Sequence, residues 1–246
     1  MTDMAPLTPP YEPAEDALAF VGGLALDAIP IVGPLAGRAL DFGLATRDRQ
    51  RQHAFNVTVA QQLAKIASGL EPPLTVADIL NSDEFVAAYH RASRAAQESA
   101  SEAHRLRIAA AVASSGEWAD FPHAERRLFA RSAADLDDLQ IWLLHYFREP
   151  YKWLSSHLRE GWYENFGGAE TVADLLGAAL RAPEDVWLDS VKRGLSELVE
   201  SGFIRPFDIK ALLPRNQTAY APQITGAGRR FLSFVDAPSL IPAPDL

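Results

Sequence analysis

Two stretches of sequence, LSELVESGFI (residues 195–204) and YAPQITGAGRRFL (residues 220–232), decide the fold of the C-terminal part of this chain. The first closes a helix that apolar residues at helical spacing predict over residues 184–201. Gly202 stands just after that helix, where a left-handed backbone is common and glycine adopts it at least cost. Thr225 belongs to the residue types that cap helix N-termini, so a further short helix is expected after it.

The upstream residues complete the order of elements. Helices are predicted over residues 135–146 and 171–180, and residues 203–224 read as two short strands around a wing. Helix, helix, helix, hairpin and helix is the winged-helix order, and Gly after the third helix with Thr-x-x-Gly after the second strand resembles many bacterial winged-helix domains. The expected fold is therefore mainly α, with a helical N-terminal half and a winged-helix-like α+β module with a small β-hairpin over residues 135–235.

Residues 15–134 are predicted to form a separate helical domain. Thr75 and Ser82 are placed to cap helices, and the second of these helices is expected to run through an alanine-rich stretch to about Ser114. Apolar residues at spacings of 4, 4 and 3 define one face of an earlier helix: Phe55, Val59, Leu63 and Ile66.

The most apolar segment, residues 17–44, reads ALAFVGGLALDAIPIVGPLAGRALDFGL. Pro30 and Pro34 interrupt it, which favours a helix–turn–helix hairpin over one rod. A membrane span needs about 20 consecutive apolar residues, and Asp27 breaks the run. The segment is expected to be a buried hairpin or a self-association surface, with membrane insertion as the alternative. Its candidate partner or membrane contacts are Phe20, Val21, Leu24, Ile29, Ile31, Val32 and Leu35.

Composition excludes several classes of site. The absence of cysteine rules out disulfides, thiolate zinc, iron–sulfur clusters and a cysteine nucleophile, and it fits a cytoplasmic location. A net charge of −9 opposes general attraction to DNA or anionic lipid. Proline-rich residues 1–14 are predicted to be a flexible arm without the basic start of a secretory signal, and residues 236–246 an irregular tail.

Charge also bears on whether the winged helix reads DNA. Residues 184–201 hold five acids and two bases, so their net charge of −3 opposes the phosphate contacts that a reading third helix makes. The candidate nucleic-acid patch consists of Lys210, Arg215, Arg229 and Arg230. Contacts with proteins are therefore favoured, and DNA reading remains the alternative.

No catalytic constellation is recognisable. The six histidines form no H-E-x-x-H pair, and the glycine pairs lack the context of a phosphate loop. The acids Asp135, Asp137 and Asp138 are better explained by helix capping than by metal binding. No catalytic residue, metal or cofactor is expected, and the chain is not expected to be an enzyme. Aromatic side chains remain as a candidate pocket, with core packing the favoured alternative: Trp153, Trp162, Tyr163 and Phe166.

The organisation as a whole resembles the bacterial abortive-infection alpha family of phage-defence proteins. The segments that carry the resemblance are VGGLALDAIPIVGPLAGRALDFG (21–43), RDRQRQHAFNVTVAQQLAKI (47–66), SDEFVAAYHRAS (82–93), RLRIAAAVASSG (105–116), DLDDLQIWLLHYF (135–147) and the two stretches quoted first. The prolines at 30 and 34 and the aromatic residues 151–166 depart from the family pattern. The resemblance implies a role in limiting phage growth through protein or membrane contact. Self-association as a homo-oligomer, or a protein partner, is expected through the hairpin of residues 17–44. A transcriptional regulator and a membrane-perturbing effector that uses residues 17–44 are the alternatives.

Overall fold

A computed structural model describes residues 37–157 apart from Pro73, and residues 170–181, 183–210, 212–213 and 222–235. The described part is mainly helical, and contacts divide the chain into unit 1, residues 1–134, and unit 2, residues 135–246. The first helices are α1 (Gly37–Ala67), α2 (Val76–Asn81), α3 (Asp83–Glu98), α4 (Glu102–Ala113) and α5 (His123–Asp135). They are followed by α6 (Asp138–Arg148), α7 (Pro150–His157), β1 (Glu170–Thr171), α8 (Val172–Leu180), α9 (Glu184–Glu200), β2 (Leu212–Leu213) and α10 (Gly226–Phe234).

Helices α1, α3 and α4 pack together to form the core of unit 1. The face predicted for α1 is confirmed, because Phe55, Val59 and Leu63 are buried. The ring of Tyr89 on α3 lies between two others, with centroids 6.0 Å from Phe55 and 6.2 Å from Phe85. Full burial of a phenylalanine side chain contributes roughly 1.5–3 kcal/mol, so these contacts stabilise the packing of α1 on α3.

The predicted helix from Ser82 to about Ser114 is in fact two helices, α3 and α4. The hydroxyl of Ser101 accepts a hydrogen bond from the N–H of His104 at 3.1 Å and so caps α4. Ser99 accepts a bond from the N–H of Ser101 at 3.2 Å. Serine hydroxyls that bond nearby backbone compete with helix formation, and here they break a stretch that alanine would otherwise continue.

A polar network joins α1 to α3 inside unit 1. The hydroxyl of Tyr89 donates to Oδ1 of Asn56 at 2.8 Å, and Nε2 of Gln52 donates to the same oxygen at 2.7 Å. Oε1 of Gln52 accepts from the hydroxyl of Ser93 and from Nε2 of Gln97, each at 2.6 Å. Asn56 is buried, and a buried polar group without a partner costs roughly 1–3 kcal/mol. The network therefore fixes the alignment of α1 against α3.

Helix α6 forms the centre of unit 2, where its residues 140–147 are all buried. The ring of Trp142 stacks on Tyr146 at a centroid distance of 5.4 Å and meets the ring of Trp153, from α7, edge-on at 5.4 Å. Aromatic pairs in such geometries add about 0.5–1.5 kcal/mol to the gain from burial. These ring contacts therefore stabilise the packing of α7 on α6.

The N-terminus of α6 confirms a capping role for the acidic cluster. The side chain of Asp137 accepts from the N–H of Gln140 at 2.8 Å, and Oε1 of Gln140 accepts from the N–H of Asp137 at 2.8 Å. The predicted start at Asp135 is wrong, because that residue ends α5. Pro150 is the first residue of α7, where a missing N–H costs no helical bond.

Helix α9 presents one buried stripe to unit 2. Trp187, Val191 and Leu198 are buried on it, and the residue after its C-cap, Gly202, has φ +73° as the sequence predicts. Val186, which is apolar and was therefore expected to face inward, lies outside this stripe and is 52% exposed. The buried residues recur every three or four positions from 187, and residue 186 falls about 100° outside that stripe.

The chain after α9 pairs with two other segments. Ile204 lies opposite Ile224 in an isolated antiparallel bridge, and β2 pairs antiparallel with β1. Of the two-stranded ribbon predicted over residues 203–224, the described residues show one bridge, between Ile204 and Ile224. Residues 214–221 lie outside the described residues, so the structure does not show the predicted β-hairpin.

The Thr-x-x-Gly sequence at 225–228 has a packing role. The hydroxyl of Thr225 accepts from the N–H of Gly228 at 3.0 Å, which caps α10 as predicted, and donates to the carbonyl of Gly202 at 2.6 Å. A Cβ atom at Gly228 would overlap the carbonyl oxygen of Phe203 and the side chain of Ile224. Only glycine therefore lets α10 approach the end of α9 this closely.

Candidate functional site

Helix α9, the third helix of the predicted winged helix, presents an acidic face. All seven of its charged side chains are exposed: Glu184, Asp185, Asp189, Lys192, Arg193, Glu197 and Glu200. Two of the acids also contact neighbours. Glu184 forms an ion pair with Lys210, and Glu197 accepts a hydrogen bond from Nε2 of Gln140 on α6. The face therefore repels rather than attracts a phosphate backbone.

The four bases of the candidate nucleic-acid patch are not placed alike. Nζ of Lys210 lies 3.1 Å from a carboxylate oxygen of Glu184, in the first turn of α9. Arg229 and Arg230 are exposed on a different helix, α10. Arg215 lies outside the described residues. Because Lys210 is matched by an acid, it adds little net positive charge near α9.

A groove of about 470 Å³ runs beside α9. Its apolar side chains include Leu195 and Val199 from the helix and Phe207 and Ile209 from the following segment. Lys192 and the acids Glu200 and Asp208 border it, so its charged side chains carry a small net negative charge. A groove of this kind suits an apolar side chain of another protein better than a phosphate.

The structure places one of the four aromatic candidates. Trp153 is 2% exposed, with one ring face stacked on His157 at a centroid distance of 4.2 Å. Trp153 is therefore a core residue of unit 2. Trp162, Tyr163 and Phe166 lie outside the described residues.

The apolar candidates from Phe20 to Leu35 also lie outside the described residues. Residues 37–44, the end of the predicted hairpin, form the first turns of α1. None of the helices that the structure describes has both the length and the apolarity needed to cross a bilayer.

A cleft of about 680 Å³ lies between α3 and α5 in unit 1. Arg91 on α3 and Arg127 and Arg131 on α5 line it, and all three side chains are exposed. Small apolar side chains form the walls between the arginines: Ala87, Ala88, Ala124 and Ala130. Leu128, which is 40% exposed, adds a larger apolar contact. The cleft thus combines positive charge with an apolar surface.

An ion cluster holds α3 to α5 beside the cleft. Oε2 of Glu84 accepts from Nε of Arg126 at 2.8 Å, Oε1 of Glu84 contacts Nδ1 of His123, and Nη1 of Arg126 donates to the carbonyl of Phe121 at 2.7 Å. Burial raises the pKa of Glu84, but hydrogen bonds and charges from Arg126 and His123 outweigh it, so this pKa lies below its ordinary value. Glu84 is held ionised and is matched by its neighbours.

This cleft was not predicted from the sequence. A local signal was present, because Ala124, Arg127 and Arg131 recur at spacings of three and four and so share one exposed face of α5. Its second wall, with Arg91, comes from a distant part of the chain. That pairing depends on how α3 and α5 lie in the folded unit.

Within the described ranges, no group of three or more histidine, aspartate or glutamate side chains is arranged to hold a metal ion. The polar contacts around the cleft join one carboxylate to an arginine and a histidine. Such an arrangement holds two helices together.

Comparison with known proteins gives no further identification. No family model, no curated protein and no solved structure matches this chain. The resemblance to the abortive-infection alpha family therefore stays a prediction, and the function has to be argued from the surfaces themselves.

Proposed function

We propose that this protein is a non-enzymatic interaction protein, whose unit 2 is a winged-helix variant used for contacts with proteins rather than with DNA. The observation that carries the proposal is the acidic exposed face of α9. In the proposed winged helix α9 is the third helix, the one that enters the major groove in DNA-reading members of that fold.

The order of elements in unit 2 supports the winged-helix part. Helices α6, α7, α8 and α9 are followed by the bridge between Ile204 and Ile224 and then by α10, so the short α7 is one helix more than the winged-helix order needs. Two backbone bonds flank the bridge, from the N–H of Arg205 to Gln223 and from that of Thr225 to Phe203, each at 2.9 Å. A third segment, β1, lies directly before α8 and pairs with β2. These short pairings are what the base of a wing requires.

Charge supports the choice of partner. Each phosphate contact made by Lys or Arg gains affinity through counterion release, and a helix with five exposed acids loses that gain. Beside the same helix, the groove formed with Leu195 and Phe207 offers apolar contact area. Apolar contact area bordered by polar and charged side chains is typical of protein interfaces.

We also propose a role in limiting phage growth, with homo-oligomerisation or a protein partner as its physical basis. This part rests on the resemblance of several segments, including residues 47–66 and 135–147, to the abortive-infection alpha family. The proposed setting is the cytoplasm, in keeping with the absence of cysteine.

Two measurements test the proposal. Sedimentation velocity of the full chain over a wide concentration range is expected to show reversible self-association, and a monomer at every concentration contradicts a homo-oligomer. Expression in a phage-sensitive bacterium is expected to reduce plaque formation. Unchanged plaque counts at matched expression contradict the phage-defence role.

A further inference from the structure

We infer that the cleft between α3 and α5 binds an acidic, apolar-faced segment of a partner protein. The site lies wholly in unit 1 and is carried by residues that the proposed use of unit 2 does not involve. The inference rests on the proposed function in one respect: both take the chain to be a protein that binds partners.

Charge is the first argument. The cleft is lined by four arginines and His123, against two acids, Asp83 and Glu84. Arg126 forms an ion pair with Glu84, whereas the side chains of Arg91 and Arg127 are exposed at the cleft. In a chain of net charge −9 this is a local surplus of positive charge. Guanidinium groups match carboxylates in both charge and geometry, so acidic side chains are suitable ligands.

The walls are the second argument. Alanines on both helices leave a shallow apolar surface between the arginines, and Leu128 stands exposed at the same place. A helix that lies in a groove between two others needs small residues beneath it and one or two larger apolar contacts. The matching segment therefore carries acids on its flanks and apolar side chains along its centre.

The same lining disfavours nucleic acid. Single strands bind chiefly by stacking bases on aromatic side chains, and none of the described residues that line this cleft is Phe, Tyr or Trp. The carboxylates of Asp83 and Glu84 would also face, and repel, the phosphates of a continuous nucleic-acid backbone. A peptide can place its carboxylates beside the arginines and leave apolar residues beside the two acids.

The test uses the full chain and a fluorescein-labelled synthetic helical peptide with Glu on its flanks and Leu along one face. The probes for comparison are the same peptide with Gln for Glu and an oligothymidine of equal charge. Arg91→Gln with Arg127→Gln removes two cleft charges. Arg47→Gln with Arg49→Gln is the matched control, because both side chains are exposed on α1 and do not line the cleft. Circular dichroism checks that both variants fold.

The wild-type chain is expected to bind the Glu peptide saturably, and the cleft variant to bind it about tenfold more weakly, as the loss of charged hydrogen bonds implies. The control variant is expected to match wild type. Absence of saturable binding, an equal loss in both variants, equal affinity for the Gln peptide or tighter binding of oligothymidine would overturn the inference. Self-association of the cleft variant is expected to persist, so failure of the cleft and failure of the proposed function are distinguishable.

Discussion

The basic side chains at the cleft of unit 1 and those on and beside α9 in unit 2 have different charged neighbours. In unit 1, Arg91 and Arg127 are exposed around an apolar cleft whose more buried acid, Glu84, is already bonded. In unit 2, Lys210 is paired with Glu184, and the bases of α9 stand among five acids. The difference shows that a net charge of −9 does not set the sign of every surface. Local arrangement sets the charge that each surface presents.

Of the changes predicted for the two units, a substitution at the contact between α9 and α10 is expected to have the largest effect on the free energy of unfolding. Gly228→Ala places a Cβ against the carbonyl of Phe203 and the side chain of Ile224, so the α9 surface loses its support. Overpacking of this kind costs about 1–3 kcal/mol. Urea unfolding followed by tryptophan fluorescence measures it, since four of the five tryptophans lie in unit 2.

Gly226→Ala is the matched control in the same helix. A Cβ atom there meets the far end of the flexible Arg230 side chain at 3.4 Å. Its unfolding free energy is expected to stay within about 0.5 kcal/mol of wild type. Equal losses in the two variants would refute the close approach as the cause.

The polar network between α1 and α3 stabilises unit 1, the unit that carries the arginine cleft. A substitution in this network is expected to lower the stability of that unit. Tyr89→Phe keeps the ring contacts but removes the hydroxyl that donates to Asn56. A loss of about 1 kcal/mol is expected. A double-mutant cycle with Asn56→Ala, followed by circular dichroism in urea, measures the coupling between the two side chains. Additive effects would contradict a shared network.

The Glu84 cluster gives a smaller, pH-dependent effect. Because the pKa of Glu84 is lowered in the folded chain, its contribution is present above its ordinary pKa of about 4.3 and is lost as the pH falls through the lowered value. Glu84→Gln is expected to reduce stability by about 1 kcal/mol or less near pH 7 and to converge with wild type in acid. Thermal unfolding across this pH range provides the measurement.

Glu98→Gln supplies the control for that series, because the pair of Glu98 with Arg94 is largely exposed. Its stability is expected to follow wild type at every pH. If Glu84→Gln and wild type keep the same separation from neutral to acid pH, the ion cluster does not stabilise unit 1.

Loss of the Lys210 pair gives the smallest expected effect. Lys210 and Glu184 are both more than half exposed, and such pairs contribute about 0–1 kcal/mol. Lys210→Ala is expected to change the unfolding free energy by less than about 0.5 kcal/mol, since an acid in the first turn of α9 remains favourable without a partner. A larger loss of unfolding free energy, measured in urea, would show that this ion pair stabilises unit 2, contrary to the expectation.

Features that depend on near neighbours in sequence were predictable. The buried face of α1 follows from apolar spacing, and Thr75, Ser82, Thr171 and Thr225 cap the helices that follow them. Their hydroxyls bond backbone only three residues away, so short sequence windows contain the cause.

Features that depend on distant residues were not predictable. The arginine cleft joins α3 to α5, and Gly228 is required because of Phe203, which precedes it by a whole loop. The break between α3 and α4 was missed for a different reason. Serines at 99 and 101 outweigh the helix preference of the alanines around them through specific hydrogen bonds.

Retention of short genomic DNA fragments by the full chain at low salt tests the central claim most directly. The acidic face of α9 predicts no saturable retention, even where salt screening is weakest. Retention that weakens with added salt, and that is lost when Lys210, Arg215, Arg229 and Arg230 are changed to alanine, would contradict the account and make this protein a DNA-binding regulator.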